Sequence, residues 1–266
     1  MAIVEKRRET KKVLNVKMKK KKINKKNIII LILMLIFATM FIVSTIKIVS
    51  YLIDNKENRQ IQKNISKAIM VTPSKEDKYT VDFNLLKKEN SNTIAYLKVN
   101  GTNIDYIVVK GNDNNYYLNH NFNNKVNVSG WIFADYRNKF DGNDKNIIIY
   151  GHNTMDGSMF GTLKNVLTKD WNEIEENKKI MLVTSSGIDY YKVFSVYTIE
   201  AEDYYTNTSF KNDDEYEDFL KRLRFRSIYS YEVNVSKYDR ILTLSTCTPD
   251  GKNRVVLHAK LMNNNS

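Results

Sequence analysis

Asp239–Leu261 reads DRILTLSTCTPDGKNRVVLHAKL, and both the fold and the chemistry of the chain turn on it. Two runs of β-branched and apolar residues, ILTLSTC and RVVLHAKL, flank a link in which Pro249-Asp250-Gly251 suits a turn with proline at its second position. Strand periodicity puts Thr243, Ser245 and Cys247 on one face, with Leu242 and Leu244 on the other. If the two runs pair as a hairpin, Arg254 returns close to Cys247. Arg254 and His258 then share a face, and Val255, Leu257 and Ala259 share the opposite one.

Further upstream, runs of the same character recur between Asn/Asp/Gly turns: IAYLKV, NIDYIVV, GWIFAD, KNIIIYG, KIMLVTS and DYYKVFSVYTIE. With the final pair they make eight short strands, the pattern of a closed barrel or a sandwich. The segment 213–231 interrupts them. There Tyr216, Phe219, Leu220 and Leu223 recur at helical spacing, which predicts one helix among the later strands. The order is no regular strand–helix alternation, so a doubly wound parallel sheet is excluded. Ahead of the strands, Ile53, Ile61, Ile65 and Ala68 suggest an amphipathic helix over 51–70. The polar stretch TPSKEDKYT follows, then a short helix around Asp82–Glu89.

The formal charge of +12 resembles that of a nucleic-acid binder until it is divided by region. Residues 1–26 hold twelve Lys or Arg against Glu5 and Glu9, which makes the tail +10 and leaves +2 for everything after it. A broad phosphate-binding surface is therefore not implied, and no nucleic-acid partner is expected. Asn27–Ser50 reads NIIILILMLIFATMFIVSTIKIVS, uncharged between Lys26 and Lys47. Roughly 20 apolar residues at 1.5 Å each reach about 30 Å, enough to cross a bilayer core. A cleavable signal peptide is the competing reading, but the apolar run continues past Ala38, Ser44 and Thr45 and no A-x-A-like site follows. The expectation is an uncleaved transmembrane anchor at 27–50. The basic tail 1–26 is then cytoplasmic, held at anionic membrane lipid, and the chain beyond Tyr51 is extracellular.

The single cysteine cannot form an internal disulfide. A lone Cys is usually an inert core residue, yet a thiol beside a guanidinium at a strand end is different. A cationic neighbour favours the thiolate, and a guanidinium offers fixed donors where an oxyanion would develop. Acyl transfer also needs a proton shuttle, for which His120, His152 and His258 are the candidates. His152 sits where an apolar strand ends in a Gly-His-Asn turn, a common mounting for catalytic groups. His120 lies in the polar loop NYYLNHNF and is read as structural. His258 is well inside a strand and is read as a satisfied, barrel-facing residue. Spacing thus favours His152, and the reading of the residues alone ends at a Cys–His–Arg site.

TLSTC followed shortly by a strand Arg, with YGHN well upstream, resembles the sortase signature. NTIAYLKVNGTNIDYIVVKGNDNNYYLNHNF, GWIFADYRN and GHNTMDGSMFGTLKN are similar in order and spacing to class B sortases, and the likeness covers about residues 80–262. It implies a mainly β fold: a closed eight-stranded barrel with an N-terminal helical segment, one inserted helix near 213–228 and an N-terminal transmembrane helix. A juxtamembrane helix and linker would occupy 51–78 and the catalytic domain 79–266. The resemblance makes Cys247 the nucleophile, His152 the general acid and base, and Arg254 the oxyanion or substrate-positioning residue. Asn114, Leu118, Tyr150 and Ser245 match groove-lining positions, and the loop 200–212 is expected to shape specificity. Thr248-Pro249-Asp250 falls where class B sequences vary. The implied reaction cleaves a C-terminal sorting motif of a secreted protein after Thr and passes the acyl group through a thioester to a peptidoglycan cross-bridge amine. Class B relatives commonly take Asn-Pro-x-Thr-Asn/Gly-like signals. No ATP, metal or organic cofactor is called for.

Two rivals remain distinguishable in the sequence. L,D-transpeptidases keep His and Cys in one short Ser/Thr-His-Gly-Cys stretch, and peptidoglycan hydrolases place Cys before His. Here the order is His152, Cys247, Arg254. A membrane-tethered binding barrel with an incidental cysteine is the non-enzymatic alternative, which thiol reactivity separates.

Overall fold

The computed structural model describes residues 25–72, 78–200, 202, 204–248 and 251–262. The basic tail up to residue 24, and Pro249 and Asp250 of the expected turn, lie outside the described residues.

Helix α1 spans Lys25–Ile65. It is long and apolar enough to cross a membrane. The chain divides into two compact units, Met1–Val49 and Ser50–Ser266. In the first, apolar side chains such as Phe37, Phe41 and Ile48 are exposed. In the second, the end of α1 packs differently from the expected amphipathic helix. Ile53 is exposed, whereas Asn55 and Asn58 are buried beside Ile61 and Ile65. The reason is the polar surface opposite. Asn58 donates to Asn127 Oδ1 and the Gly130 carbonyl (both 3.1 Å), Asp54 accepts the Val128 N–H at 2.8 Å, and Ser129 donates to Asn55. Tyr51 Oη accepts the Met155 N–H at 2.9 Å, and Arg59 pairs with Asp156. Beyond a 3-10 turn at Ser66–Ala68, strands β1 (Ile69–Thr72) and β2 (Lys78–Val81) form an antiparallel hairpin where only a linker was expected. Helix α2 (Phe83–Glu89) follows, its first turn capped by Asp82 accepting the Leu85 N–H at 2.9 Å.

All eight expected strands are present: β3 (Thr93–Val99), β4 (Asp105–Val109), β5 (Phe133–Ala134), β6 (Asn146–Tyr150), β7 (Lys179–Thr184), β8 (Gly187–Glu200), β9 (Ile241–Cys247) and β10 (Asn253–Leu261). They close into a barrel in the order β10-β8-β7-β3-β4-β5-β6-β9, with β4–β5 and β6–β9 parallel and the other pairs antiparallel. Closure leaves the barrel itself without a free edge. A one-turn helix α3 (Lys169–Glu173) precedes β7.

The inserted helix α4 is Asp213–Phe225. Asn212 caps it by accepting the Glu215 N–H at 2.9 Å. Acidic residues fill its first turn and Arg222 and Arg224 its last, matching the helix dipole. Tyr216, Phe219, Leu220 and Leu223 are the residues it buries, the face the spacing predicted.

Candidate active site

Barrel closure sets three strand ends side by side. In the antiparallel pair β9–β10, Arg254 is the partner of Cys247, and directly opposed positions share a sheet face. On the other side β9 runs parallel to β6, with Tyr150 opposite Ser245 and the Gly151 N–H donating to the Ser245 carbonyl at 3.3 Å. Two residues further along each chain stand His152 and Cys247. Strands lie about 4.8 Å apart, so the backbone brings His152, Cys247 and Arg254 to one rim although they are distant in sequence. The Gly251 N–H donates to the Thr248 carbonyl at 2.8 Å, closing the hairpin.

His152 is held from both sides of its turn. A Cβ on Gly151 would lie 2.4 Å from Ile132 Cδ1 and 2.8 Å from Phe160 Cγ, so only glycine lets the chain turn there. The Phe160 N–H donates to the His152 carbonyl at 2.9 Å, closing the 153–159 loop. The ring Nε2 is 2.7 Å from the Leu118 carbonyl. A carbonyl only accepts, so Nε2 carries the hydrogen in this arrangement. Leu118 is in turn fixed from behind. Gly130 has φ +53°, and a Cβ there would meet the Tyr117 carbonyl oxygen at 2.3 Å.

The other histidines sit as expected from the sequence. His120 stacks on Tyr116 and its Nδ1 is 2.9 Å from the Tyr116 carbonyl. His258 is wholly buried in the barrel. Thr243 Oγ1 donates to Asn146 Oδ1 at 2.6 Å, so it accepts from His258 Nδ1 at 2.9 Å, and Tyr197 Oη donates to Nε2 at 2.8 Å. Burial, helped by the positive charge of Arg226, pushes the His258 pKa down to about 3.

A cleft of about 670 Å³ opens at this rim, and Asn114, Leu118, Tyr150, His152, Ser245 and Arg254 all line it. The structure thus brings together every site residue singled out in the sequence whose side chain is described. Glu202, Tyr205, Thr206 and Asn207, from the loop expected to shape specificity, form another wall. Tyr205 Oη and Ser245 Oγ are 3.0 Å apart. Arg254, half-buried, donates from Nη1 to the carbonyls of Asn253 (3.1 Å) and Gly251 (3.3 Å).

Asp135 and Arg137 were missed in the sequence. Asp135 is fully buried under the cleft, and Arg137 and Tyr136 line it. Burial alone would raise the Asp135 pKa, but hydrogen bonds from the Arg137 side chain, the Arg137 backbone and Asn114 hold it below the ordinary carboxylate value. Burial, reinforced by the Asp135 charge, pushes Tyr150 upward, so Tyr150 stays a neutral donor. The available signal was the acid at the end of GWIFAD, followed two residues later by Arg; it reads as a solvated turn.

Among the described residues no cluster of His, Cys, Asp and Glu could hold a metal ion.

Comparison with known proteins gives a consistent result. The family model for the sortase domain matches residues 97–262. The chain is 36% identical over 239 residues to Sortase B of Listeria monocytogenes serovar 1/2a, covering 86% of this chain and 95% of that one. Among solved structures, sortase B from B. anthracis has a TM-score of 0.70 at 34% identity, covering 80% of this chain and 100% of that one. A Staphylococcus aureus sortase B–substrate complex has a TM-score of 0.64 at 34% identity, covering 68% of this chain and 86% of that one.

Proposed function

The chain belongs to the sortase family, class B, cysteine transpeptidases that anchor proteins to the cell wall, and from that premise we propose how its own residues do so. Cys247 is the nucleophile, His152 the general acid and base, and Arg254 the donor that supports the developing oxyanion. The observation that carries this reading is the strand register: β6 and β10 flank β9, so His152 and Arg254 approach Cys247 from opposite sides at the mouth of the cleft.

The peptide lies in the cleft, against Asn114, Leu118, Tyr150 and Ser245, with its Thr carbonyl at Cys247. The thiolate attacks that carbon, and the oxyanion forms beside the Arg254 guanidinium. As the tetrahedral intermediate collapses, the C–N bond breaks and the His152 imidazolium gives its proton to the departing amine. The acyl group stays on sulfur as a thioester. A peptidoglycan amine then attacks, neutral His152 takes its proton, and the thiolate leaves, restoring the ion pair. The S. aureus relative, solved with a substrate, supports assigning the equivalent cleft to a sorting peptide. The N-terminal helix anchors the enzyme, with the lysine tail cytoplasmic and the barrel outside, so that enzyme and clients meet on one surface.

The test uses the full-length chain in detergent with a quenched library of Asn-Pro-x-Thr-Asn/Gly peptides. The expected result is cleavage after Thr with an acyl adduct on intact wild-type protein, released faster by an added amine, and neither in Cys247→Ala. Cleavage that survives Cys247→Ala would end the thioester mechanism. For topology, protease added to wall-less cells should degrade 51–266 and spare the tail; a released protein trimmed near residue 45 would show a signal peptide instead.

A further inference from the structure

The Asp135 carboxylate, together with Arg137, ties three separate walls of the cleft to one another. Its Oδ1 accepts the backbone N–H and Nε–H of Arg137 at 3.0 and 2.8 Å. Its Oδ2 accepts Arg137 Nη2 at 2.7 Å, Asn114 Nδ2 at 2.9 Å and Tyr150 Oη at 3.0 Å. Arg137 Nη2 also donates to the Thr206 carbonyl at 2.8 Å, and Asn114 Oδ1 accepts the Tyr136 N–H at 3.1 Å. Asp135 itself is anchored in the barrel, its N–H donating to the Ile148 carbonyl at 2.9 Å. Asn114 belongs to the loop before β5, Tyr150 to the end of β6, and Thr206 to the loop before α4. Among the described residues no strand pairing joins these three walls directly; the doubly hydrogen-bonded pair of buried Asp135 and exposed Arg137 bridges them, and Asn146 Nδ2 adds a bond to the Asn207 carbonyl at 2.9 Å.

Charge-assisted, bidentate bonds of this kind carry directional information as well as energy. A fully buried carboxylate that meets only donors also resists rearrangement, because any donor that swings away leaves charge unpaired. Asp135 does not line the cleft, so whatever it does for substrate it does through the residues it holds.

We propose that Asp135 is the positioning residue of the peptide cleft: with Arg137 it locks Asn114, Tyr150 and the 204–207 loop at the spacing that admits an extended sorting peptide. This rests on the transpeptidase reading above. The lock acts on peptide binding and leaves the thiol chemistry alone, because its hydrogen bonds reach Asn114, Tyr150 and Thr206 and include none to His152 or Arg254.

The experiment measures steady-state kinetics of full-length wild type, Asp135→Asn and Arg137→Lys in detergent, with the best peptide from the library. Rates are normalised to the folded fraction. Asp135→Asn preserves shape but loses the charge. Arg137→Lys keeps a charge but cannot serve both Asp135 oxygens and Thr206 at once. Both should raise KM about 10- to 100-fold with kcat within about threefold, the pattern of lost binding held equally in ground and transition states. The alkylation rate of Cys247 by iodoacetamide should stay at the wild-type value. Peptide binding measured by fluorescence in a Cys247→Ala background should weaken by the same factor when Asp135→Asn is added, a readout independent of turnover. Losses confined to kcat, a slowed alkylation, or losses fully explained by the unfolded fraction would each overturn the positioning role. Wild type that forms no acyl adduct with any peptide would instead overturn the transpeptidase reading beneath it.

Discussion

Arg254 spends one edge of its guanidinium on the carbonyls of its own hairpin, Gly251 and Asn253. A lysine could keep the charge at this place but not that fixed direction. Arg254→Lys is therefore expected to lower kcat/KM by about 10²–10³, the scale of losing one oxyanion donor, with folding intact. Retained activity in that variant would leave the oxyanion to backbone N–H groups. His152→Ala should abolish cleavage, whereas His120→Ala should cost far less, since its ring only stacks and bonds locally. His258 has a different signature. Its folded pKa, about 3, lies below the ordinary histidine value, so between those two values the unfolded chain takes up a proton that the native barrel refuses. Stability should therefore fall as pH drops from about 6.5 toward 3, by at most about 1.4 kcal/mol per unit from this residue. Denaturant melts across that range should show the slope, and His258→Gln, which can still bond Tyr197 and Thr243, should reduce it. An unchanged slope would show that His258 is not its source.

At the scale of elements, the end of α1 holds the 127–130 loop through Asp54, Asn55 and Asn58, and the loop after His152 through Tyr51 and Arg59. A fragment beginning at residue 66 should therefore show faster amide exchange at 127–130 and 153–158 than one beginning at residue 50, while exchange in β7 and β8 stays slow. Equal exchange in the two fragments would mean these contacts do not order the loops. Asn212→Ala should cost about 1 kcal/mol in unfolding experiments, the usual worth of an N-cap. The strands and α4 were legible because their patterns are local: β-branched runs bounded by Asn, Asp and Gly, and Tyr216, Phe219, Leu220 and Leu223 on one helical face. Cys247, His152 and Arg254 stood out because each sits at a strand end beside a turn. What stayed hidden was polar burial. Asn55, Asn58 and Asp135 look solvent-facing in sequence, and only the donors that meet them across the fold make their burial favourable. The β1–β2 hairpin was missed because IMVT and KYTV are each only four residues long and are separated by the polar stretch PSKED.

On the scale of the whole molecule, the closing seam of the barrel is also its chemistry. The hairpin β9–β10 is the last stretch of described chain, and it docks on one side against β8, the strand before it, and on the other against β6, far back in the sequence. Every earlier strand can find a partner before it arrives; the barrel cannot close without it. Such long-range parallel pairing is slow, because loop entropy is lost before contacts compensate. If β9–β10 docks last, Cys247 meets His152 only when the barrel closes, and the site forms on completion of the fold. In a refolding experiment, cleavage activity should return no earlier than the slowest change in fluorescence from buried Trp131. Activity ahead of that phase would mean the site forms before closure. The reaction is thus timed by topology: the residue that attacks is delivered by the segment that finishes the fold.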